Sequence, residues 1–514
     1  MNDRDSFLTA KTYNPAAGRP EGTLWLEAAL LMLLTFMGIL AEGYHLGFSD
    51  QEIYLPAIKH FLNPALYPHD AVFFLCQTKF TIFPKAIALL VRFSRLPLDW
   101  VLFLAHFFSI AMVLAGCLRL SRKMFSSPQA QWASVTLIAA LFSLPIAGTG
   151  NLLVDRYLHP RTITTGFVLF SIVEALDGKI LKSACWALAA CVIDLPLAAP
   201  GCFFAVVFAW RQWLPELEGQ RVRPFLAGAA VSLDTIFGHA VKRYVYLTCW
   251  TPAELLGLAA PLAILFGVSR MRLKNTLPDF KILVFLTAAC GLFFAFVSLL
   301  LCAQPLREFA LLQPLRALQI VYIVMFLVLG GLAGQHVLKN SMLRWTLFFL
   351  PLFAAMFFIQ VRQLPAGSHI DWPGMKPRNQ WARAFDWVRH NTPQDALFAL
   401  DPSYMIERGE DLKGFRALAE RSRMCDSVKD QAVVSVALSA TRLSVYHSEV
   451  SQIVALMWYN QMTALKGWNT FAAPNFEQLK RRFGVDWVIL KRPANVQGLV
   501  CAYRNDAVEV CRIP

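Results

Sequence analysis

The stretch GYHLGFSDQEIYLPA, residues 43–57, sets two carboxylates, Asp50 and Glu52, directly after an apolar run. A carboxylate beside a helix end at a membrane surface is partly desolvated. It can then serve as a general base or as an acceptor that positions a substrate hydroxyl. Asp70 follows in YPHD on the same segment. Acids at helix ends are also common as solvated residues, so residue type alone leaves both readings open.

A second stretch, NLLVDRYLHPRTITTG (151–166), brings Asp155, Arg156, His159 and Arg161 within seven residues. The forked guanidinium of arginine matches phosphate oxygens, and basic groups at helix ends suit a lipid head group or a diphosphate. Arg307 and Arg316 bracket a third stretch, QPLREFALLQPLRALQ. The alternative is local ion pairing, Asp155 with Arg156 and Arg307 with Glu308. Arg316 has no acidic neighbour in sequence and is the better phosphate candidate. The outer acids and His159 lack a recognisable metal-ligand spacing, so no cofactor is expected and a divalent metal has no support from the pattern.

Composition dictates the elements that must hold these groups. Of 514 residues, 56% are hydrophobic and 16% charged, with 40 Phe and 14 Trp, and the mean hydropathy is +0.47. That is a membrane protein. The net charge of +14 is scattered in short clusters between apolar runs, which speaks against nucleic-acid binding. With roughly 20 residues per crossing, apolar runs near 24–45, 100–118, 130–148, 162–176, 183–196, 197–212, 225–238, 252–269, 282–302, 316–337 and 344–361 give about eleven helices. Lys11/Arg19, Arg119/Arg122/Lys123, Lys179/Lys182, Arg211/Arg221/Arg223, Arg270/Arg272/Lys274 and Lys339/Arg344 fall on alternate connections. The charge rule then puts the N-terminus in the cytoplasm, and segments 46–99, 149–161, 239–251 and 303–315 outside together with everything beyond about 363. Within the first outer segment, 80–96 reads as an amphipathic helix lying in the interface.

From 363 the chain turns charged and Pro-marked, a change that predicts domains at 1–362 and 363–514. Trp381, Phe385 and Val388 predict an amphipathic helix, ALFAL (396–400) a buried strand, Phe476, Leu479 and Phe483 a second helix capped by Gly484, and VDWVIL (485–490) a second strand. The expected fold is therefore a polytopic helical membrane protein with a C-terminal α/β domain. In LVCAYRNDAVEVCR, a three-residue loop at 505–507 would set Cys501 opposite Cys511 within disulfide reach; two reduced core cysteines are the alternative. A disulfide there fits an oxidising, extracytoplasmic space.

The order of a first helix, a long outer loop with the early acid of GFSDQE, an interfacial helix, many crossings and an outer C-terminal domain resembles the GT-C superfamily of membrane glycosyltransferases. The segments DQEIYLPAI…LYPHD and HPR are also similar to those of a group of bacterial membrane proteins. The GT-C resemblance implies a polyprenyl-phosphate sugar as donor, Asp50 as the catalytic first-loop acid, and Arg156, Arg161 and Arg316 at the donor phosphate. Glu52, Asp70, Asp155 and His159 complete the expected substrate-binding set; the acceptor is not specified. Two other readings stay open. A transporter or flippase would use Asp194 and Asp234 as ionisable groups within broken helices, and a non-catalytic envelope assembly or binding protein would use neither.

Overall fold

A computed structural model describes residues 21–78, 81–210, 245–303, 306, 313–406, 411–426, 428–430, 449–493, 496 and 498–514. The expected crossing at 225–238 with Asp234, the clusters at Lys11/Arg19 and Arg211/Arg221/Arg223, and Arg307 lie outside them.

The described chain is mostly helical. In order come α1 (Glu21–Glu42), α2 (Gln51–Leu62), α3 (Ala71–Gln77), α4 (Phe83–Ser94), α5 (Leu98–Met124), α6 (Pro128–Ala140), α7 (Pro160–Leu176), α8 (Ile180–Ile193), α9 (Leu195–Trp210), α10 (Pro252–Arg270), α11 (Phe280–Leu300), α12 (Leu318–Ala333) and α13 (Met342–Gln363). Among the described residues, six helical stretches are long and apolar enough to cross a membrane: α1, α5, α10, α11, α13 and the run Pro314–Leu338 that contains α12. Of the eleven expected, ten fall wholly or largely within the described residues, so this is fewer than the sequence predicts. With 14 residues, α8 spans about 21 Å at 1.5 Å per residue, short of a hydrocarbon core about 30 Å thick. Asp194 interrupts it in extended conformation before α9 can continue.

Burial sorts these helices. The α12 run is 78% buried, whereas α1 and α13 are 22% and 17% buried, so α12 is central and the other two face outward. Small residues allow α12 to approach α6. A Cβ on Gly330 would sit 2.8 Å from the Ala133 carbonyl, and Ser134 Oγ donates across the gap to the Leu327 carbonyl at 2.6 Å.

One end of the bundle gathers most of the basic clusters. Arg119 pairs with Glu174, Arg122 with Glu27 and Lys123 with Asp177. Ser126 bonds to the Asn275 carbonyl and Gln129 to Asn340, drawing in the loops that carry Arg272 and Lys339. At the opposite end Tyr44 bridges to Ile370 at the start of the C-terminal region. The expected interfacial helix is α4: Phe83, Ile87 and Ala88 face inward, and Leu89, Leu90 and Phe93 are exposed.

Beyond α13 lie α14 (Gln380–Asn391), β3 (Leu397–Leu400), α15 (Phe415–Ala419), β4 (Ser422–Arg423), α16 (Glu449–Ala464), α17 (Ala473–Phe483), β5 (Trp487–Lys491), β6 (Val500–Arg504) and β7 (Val508–Arg512); β1 (Pro145–Ile146) and β2 (Asn151–Leu152) form a small pair earlier. The sheet runs β4-β3-β5-β7-β6, parallel through β4, β3 and β5 and antiparallel through β5, β7 and β6. Trp381, Phe385 and Val388 pack on one face, Phe476 and Leu479 on the other. The hairpin turns at 505–507, where Asn505 Oδ1 accepts from the backbone N–H groups of Ala507 and Val508, and Cys501 is bonded to Cys511 across it.

Candidate functional site

The segment after α1 does not stand alone: α2 and α3 pack into the C-terminal region. Leu55 and Ile58 share a cluster with Ala417, and Ala57, Tyr67, Phe73 and Phe74 share one with Cys425 and Trp458. At this seam the candidate acids part company.

Glu52 is 0% exposed. Its Oε1 accepts from the backbone N–H of Arg416 (3.1 Å) and from Arg423 Nε (3.1 Å), and its Oε2 from the N–H of Ala417 (3.0 Å). It thus satisfies the first turn of α15, whose five residues would otherwise leave those donors bare. Gly414 is required beside it, because a Cβ there would fall 2.2 Å from Oε2. Asp70 also turns inward: Oδ2 accepts from Arg416 Nε (2.5 Å) and from the N–H of Arg423 (3.1 Å). The guanidinium of Arg416 continues to Asp430 through two bonds of 3.1 and 3.0 Å and lies over the Phe73 ring at 4.8 Å. Arg423 reaches Asp426. Four carboxylates thus share two guanidiniums out of water. Burial pushes the Glu52 and Asp430 carboxyls above their ordinary values despite the arginines. Burial also pushes on Asp426, but Arg423 and Arg416 outweigh it and hold that carboxyl low.

Asp50 is placed differently. It stands just before α2 with its side chain 31% exposed. Lys429 Nζ donates to Oδ1 at 2.6 Å and to Ser49 Oγ at 3.0 Å. On the other side, His159 Nε2 lies 3.5 Å from Oδ2. His159 caps α7, and its Nδ1 accepts from the N–H of Arg161 at 3.0 Å. That bond occupies the one lone pair of a neutral imidazole, so the proton is on Nε2 and points to Asp50. Burial raises the Asp50 carboxyl, but Lys429, His159 and Arg161 together outweigh it and hold it well below the usual carboxylate range.

The expected arginines also separate. Arg161 is bidentate to Asp155, at 3.1 and 2.8 Å, and reaches Asn151. Arg156 donates to Gln363 Oε1 at 2.7 Å at the end of α13, and its Nε is buried without a hydrogen-bond partner. Arg316, in the turn before α12, is 19% exposed; Nε donates to Gln313 Oε1 at 2.7 Å, and Nη1 lies 3.6 Å from Asp194 Oδ1. It therefore has an acidic neighbour in space, and Asp194, a transport candidate by sequence, is half of an ion pair at a helix end. Arg316 borders a shallow cleft lined also by Thr149, Ser298 and Gln313. Ser298 Oγ is buried there without a partner.

Tyr54, one helical turn after Asp50, links the two regions. Its ring meets His159 edge-on at 5.3 Å. Burial, then the Asp194 and Asp50 charges, push its phenol above the ordinary range, with Arg316 and Arg161 opposing. The site that can do chemistry is thus Asp50, Tyr54, His159 and Lys429, with Arg316 and Asp194 alongside. The sequence reading missed Tyr54 and Lys429. The i, i+4 spacing of Asp50 and Tyr54 in DQEIY could have flagged the first; for Lys429, in MCDSVKD, nothing in sequence announces a partner 379 positions away.

No protein-family model matches the chain, and no curated protein matches it in sequence.

Proposed function

We propose that the chain is a membrane glycosyltransferase of the GT-C kind, moving a sugar from a polyprenyl-phosphate donor to an acceptor hydroxyl on the outer face. The observation that carries this reading is Asp50, a half-exposed carboxylate fixed as an anion by Lys429 and His159 with Tyr54 and Arg316 on the same side. The acceptor hydroxyl donates to Asp50 while its oxygen attacks the anomeric carbon. A carbon–oxygen bond forms, the bond to phosphate breaks, and the sugar inverts. A carboxyl with so low a proton affinity is a weak base, so Asp50 mainly orients the hydroxyl and steadies developing positive charge on the sugar. The proton ends on the departing phosphate, whose second pKa is about 6. Arg316 offers that phosphate its cation at the cleft, and the exposed Leu89, Leu90 and Phe93 of α4 suit a carrier tail or lipid at the interface.

The topology with a periplasmic C-terminal domain and cytoplasmic N-terminus in a bacterial inner membrane belongs to the same proposal, supported by the gathering of basic clusters opposite the C-terminal region. Transport is less well supported once Asp194 is paired. The deciding experiment is purified protein in bilayers with labelled polyprenyl-phosphate sugars and mixed envelope acceptors. Label transfer that is lost in Asp50→Asn supports the transferase; no transfer by the native protein from any such donor overturns it.

A further inference from the structure

Asp50 belongs to the first outer segment, and one of the two groups that hold it belongs to the other end of the chain. Lys429 reaches it from the segment after β4, in the same stretch whose Asp426 Oδ1 accepts from three successive backbone N–H groups, those of Val428, Lys429 and Asp430. This turn is anchored from beneath as well, because Asp430 is bidentate to Arg416. Lys429 is therefore not a free surface lysine. Its backbone is fixed by Asp426, its side chain is 8% exposed, and its ammonium divides between Ser49 and Asp50. A lysine of that kind has given up most of its rotamers for a single contact.

We infer that Lys429 is the positioning residue for Asp50, so that the C-terminal region completes the candidate site and does not merely cover it. The inference deepens the transferase reading and rests on it for its importance, though its geometry holds without it. The charged and titratable groups facing Asp50 are Lys429, His159, Arg161, Tyr54 and Tyr157. His159 is held by α7 and can keep one carboxylate oxygen in place. Without Lys429, the other oxygen has no fixed donor among the described residues, and the carboxylate can swing about its terminal bond, whose rotamers are broad. A general acceptor that swings loses much of its effectiveness, since displacements of about 1 Å at a reacting pair cost on the order of 100-fold.

The test reads the carboxyl directly. A water-soluble carbodiimide labels protonated carboxyls, and peptide mass spectrometry gives the extent of labelling at Asp50 in the full chain held in nanodiscs, from pH 4 to 7. In the native protein Asp50 should label slowly throughout. Lys429→Met should raise its labelling at pH 5 by about tenfold, and Lys429→Arg, which keeps the charge, should restore most of the protection. Ser49→Ala, which removes the second partner of Lys429 and a contact of Tyr157 but keeps the Lys429–Asp50 bond, should give a smaller rise and guards against a misfolded Lys429→Met. Equal labelling of Asp50 in the native, Lys429→Met and Ser49→Ala proteins overturns the inference, as does failure of Lys429→Arg to protect. Sugar transfer measured on the same preparations separates the two claims. Altered labelling with no transfer even by the native protein sinks the transferase reading and leaves the Lys429 contact standing; transfer unaffected by Lys429→Met sinks the positioning role alone.

Discussion

The backbone N–H of Arg416 donates to Oε1 of Glu52 at 3.1 Å across 364 positions of sequence. Because Oε1 also accepts from Arg423 and Oε2 from Ala417, every bond to this carboxylate comes from a donor. An amide in its place would turn an NH2 group toward a donor on one side. Glu52→Gln is expected to destabilise by about 1–3 kcal/mol, and Glu52→Ala by about 3–5 kcal/mol because it leaves the buried N–H groups of Arg416 and Ala417 and Arg423 Nε without their acceptor. Thermal unfolding of the purified protein measures both. Melting temperatures equal to the native one would return Glu52 to the role of a loop acid.

Asp50→Asn should behave in the opposite way. Its side chain is 31% exposed and the amide keeps an oxygen for Lys429, so folding should weaken less than in Glu52→Ala while turnover falls by about 10²–10⁴. A small loss of melting temperature with transfer lost is the expected pair of results. A fully active Asp50→Asn protein removes Asp50 from the chemistry.

The pH dependence follows from the direction of the shift. Asp50 is held well below its ordinary value. Its ionised form therefore contributes fully above the unfolded value near 3.9, and the contribution is lost only as pH falls through the lower folded value. The acid limb of kcat/KM attributable to Asp50 should lie below pH 4, and Lys429→Met should move it upward. An acid limb near pH 6 that Lys429→Met leaves in place would assign the limb to another group.

Arg316 and Asp194 form a separable pair 3.6 Å apart. Arg316→Ala should raise KM for the donor about tenfold or more, with kcat less affected, since a charge-assisted hydrogen bond is worth about 1.5–3 kcal/mol. Asp194→Asn leaves the cation in place and less neutralised, so KM should stay the same or fall. Loss of donor affinity in both variants would mean that the pair matters as a structural tie.

Cys501 and Cys511 close a loop of sequence separation 10. The chain-entropy argument gives about 2–3 kcal/mol for a loop of that size. Cys501→Ser should lower the unfolding transition of the C-terminal region by that amount and leave the membrane helices intact. Both thiols reacting with maleimide before reduction would contradict the bond.

What could be read in sequence was what depends on neighbours. The turn at 505–507, the amphipathic faces of Trp381/Phe385/Val388 and Phe476/Leu479, the Gly484 cap and the two-sided pattern of α4 are set by period and turn chemistry within a dozen residues, and all were legible. Crossing number was less so. A run such as 183–196 is apolar enough to suggest a span, yet Asp194 ends it after 14 residues to meet Arg316 from another helix. The acids were hardest to sort. Asp50 and Glu52 sit two positions apart with the same functional group, but helical geometry turns one toward His159 and the other into α15, and the partners that decide their roles lie more than 360 residues further on.

The seam between Asp70 and Arg416 joins positions 346 residues apart. At a synthesis rate of about 5–20 residues per second, Glu52, Asp70 and the helices around them wait roughly 20–70 s for the arginines that neutralise them. During that interval the segment after α1 lacks the arginine partners of its acids, and a ribosome that stalls before position 416 leaves it so. Closure of the seam thus marks the point at which translation has reached the C-terminal region.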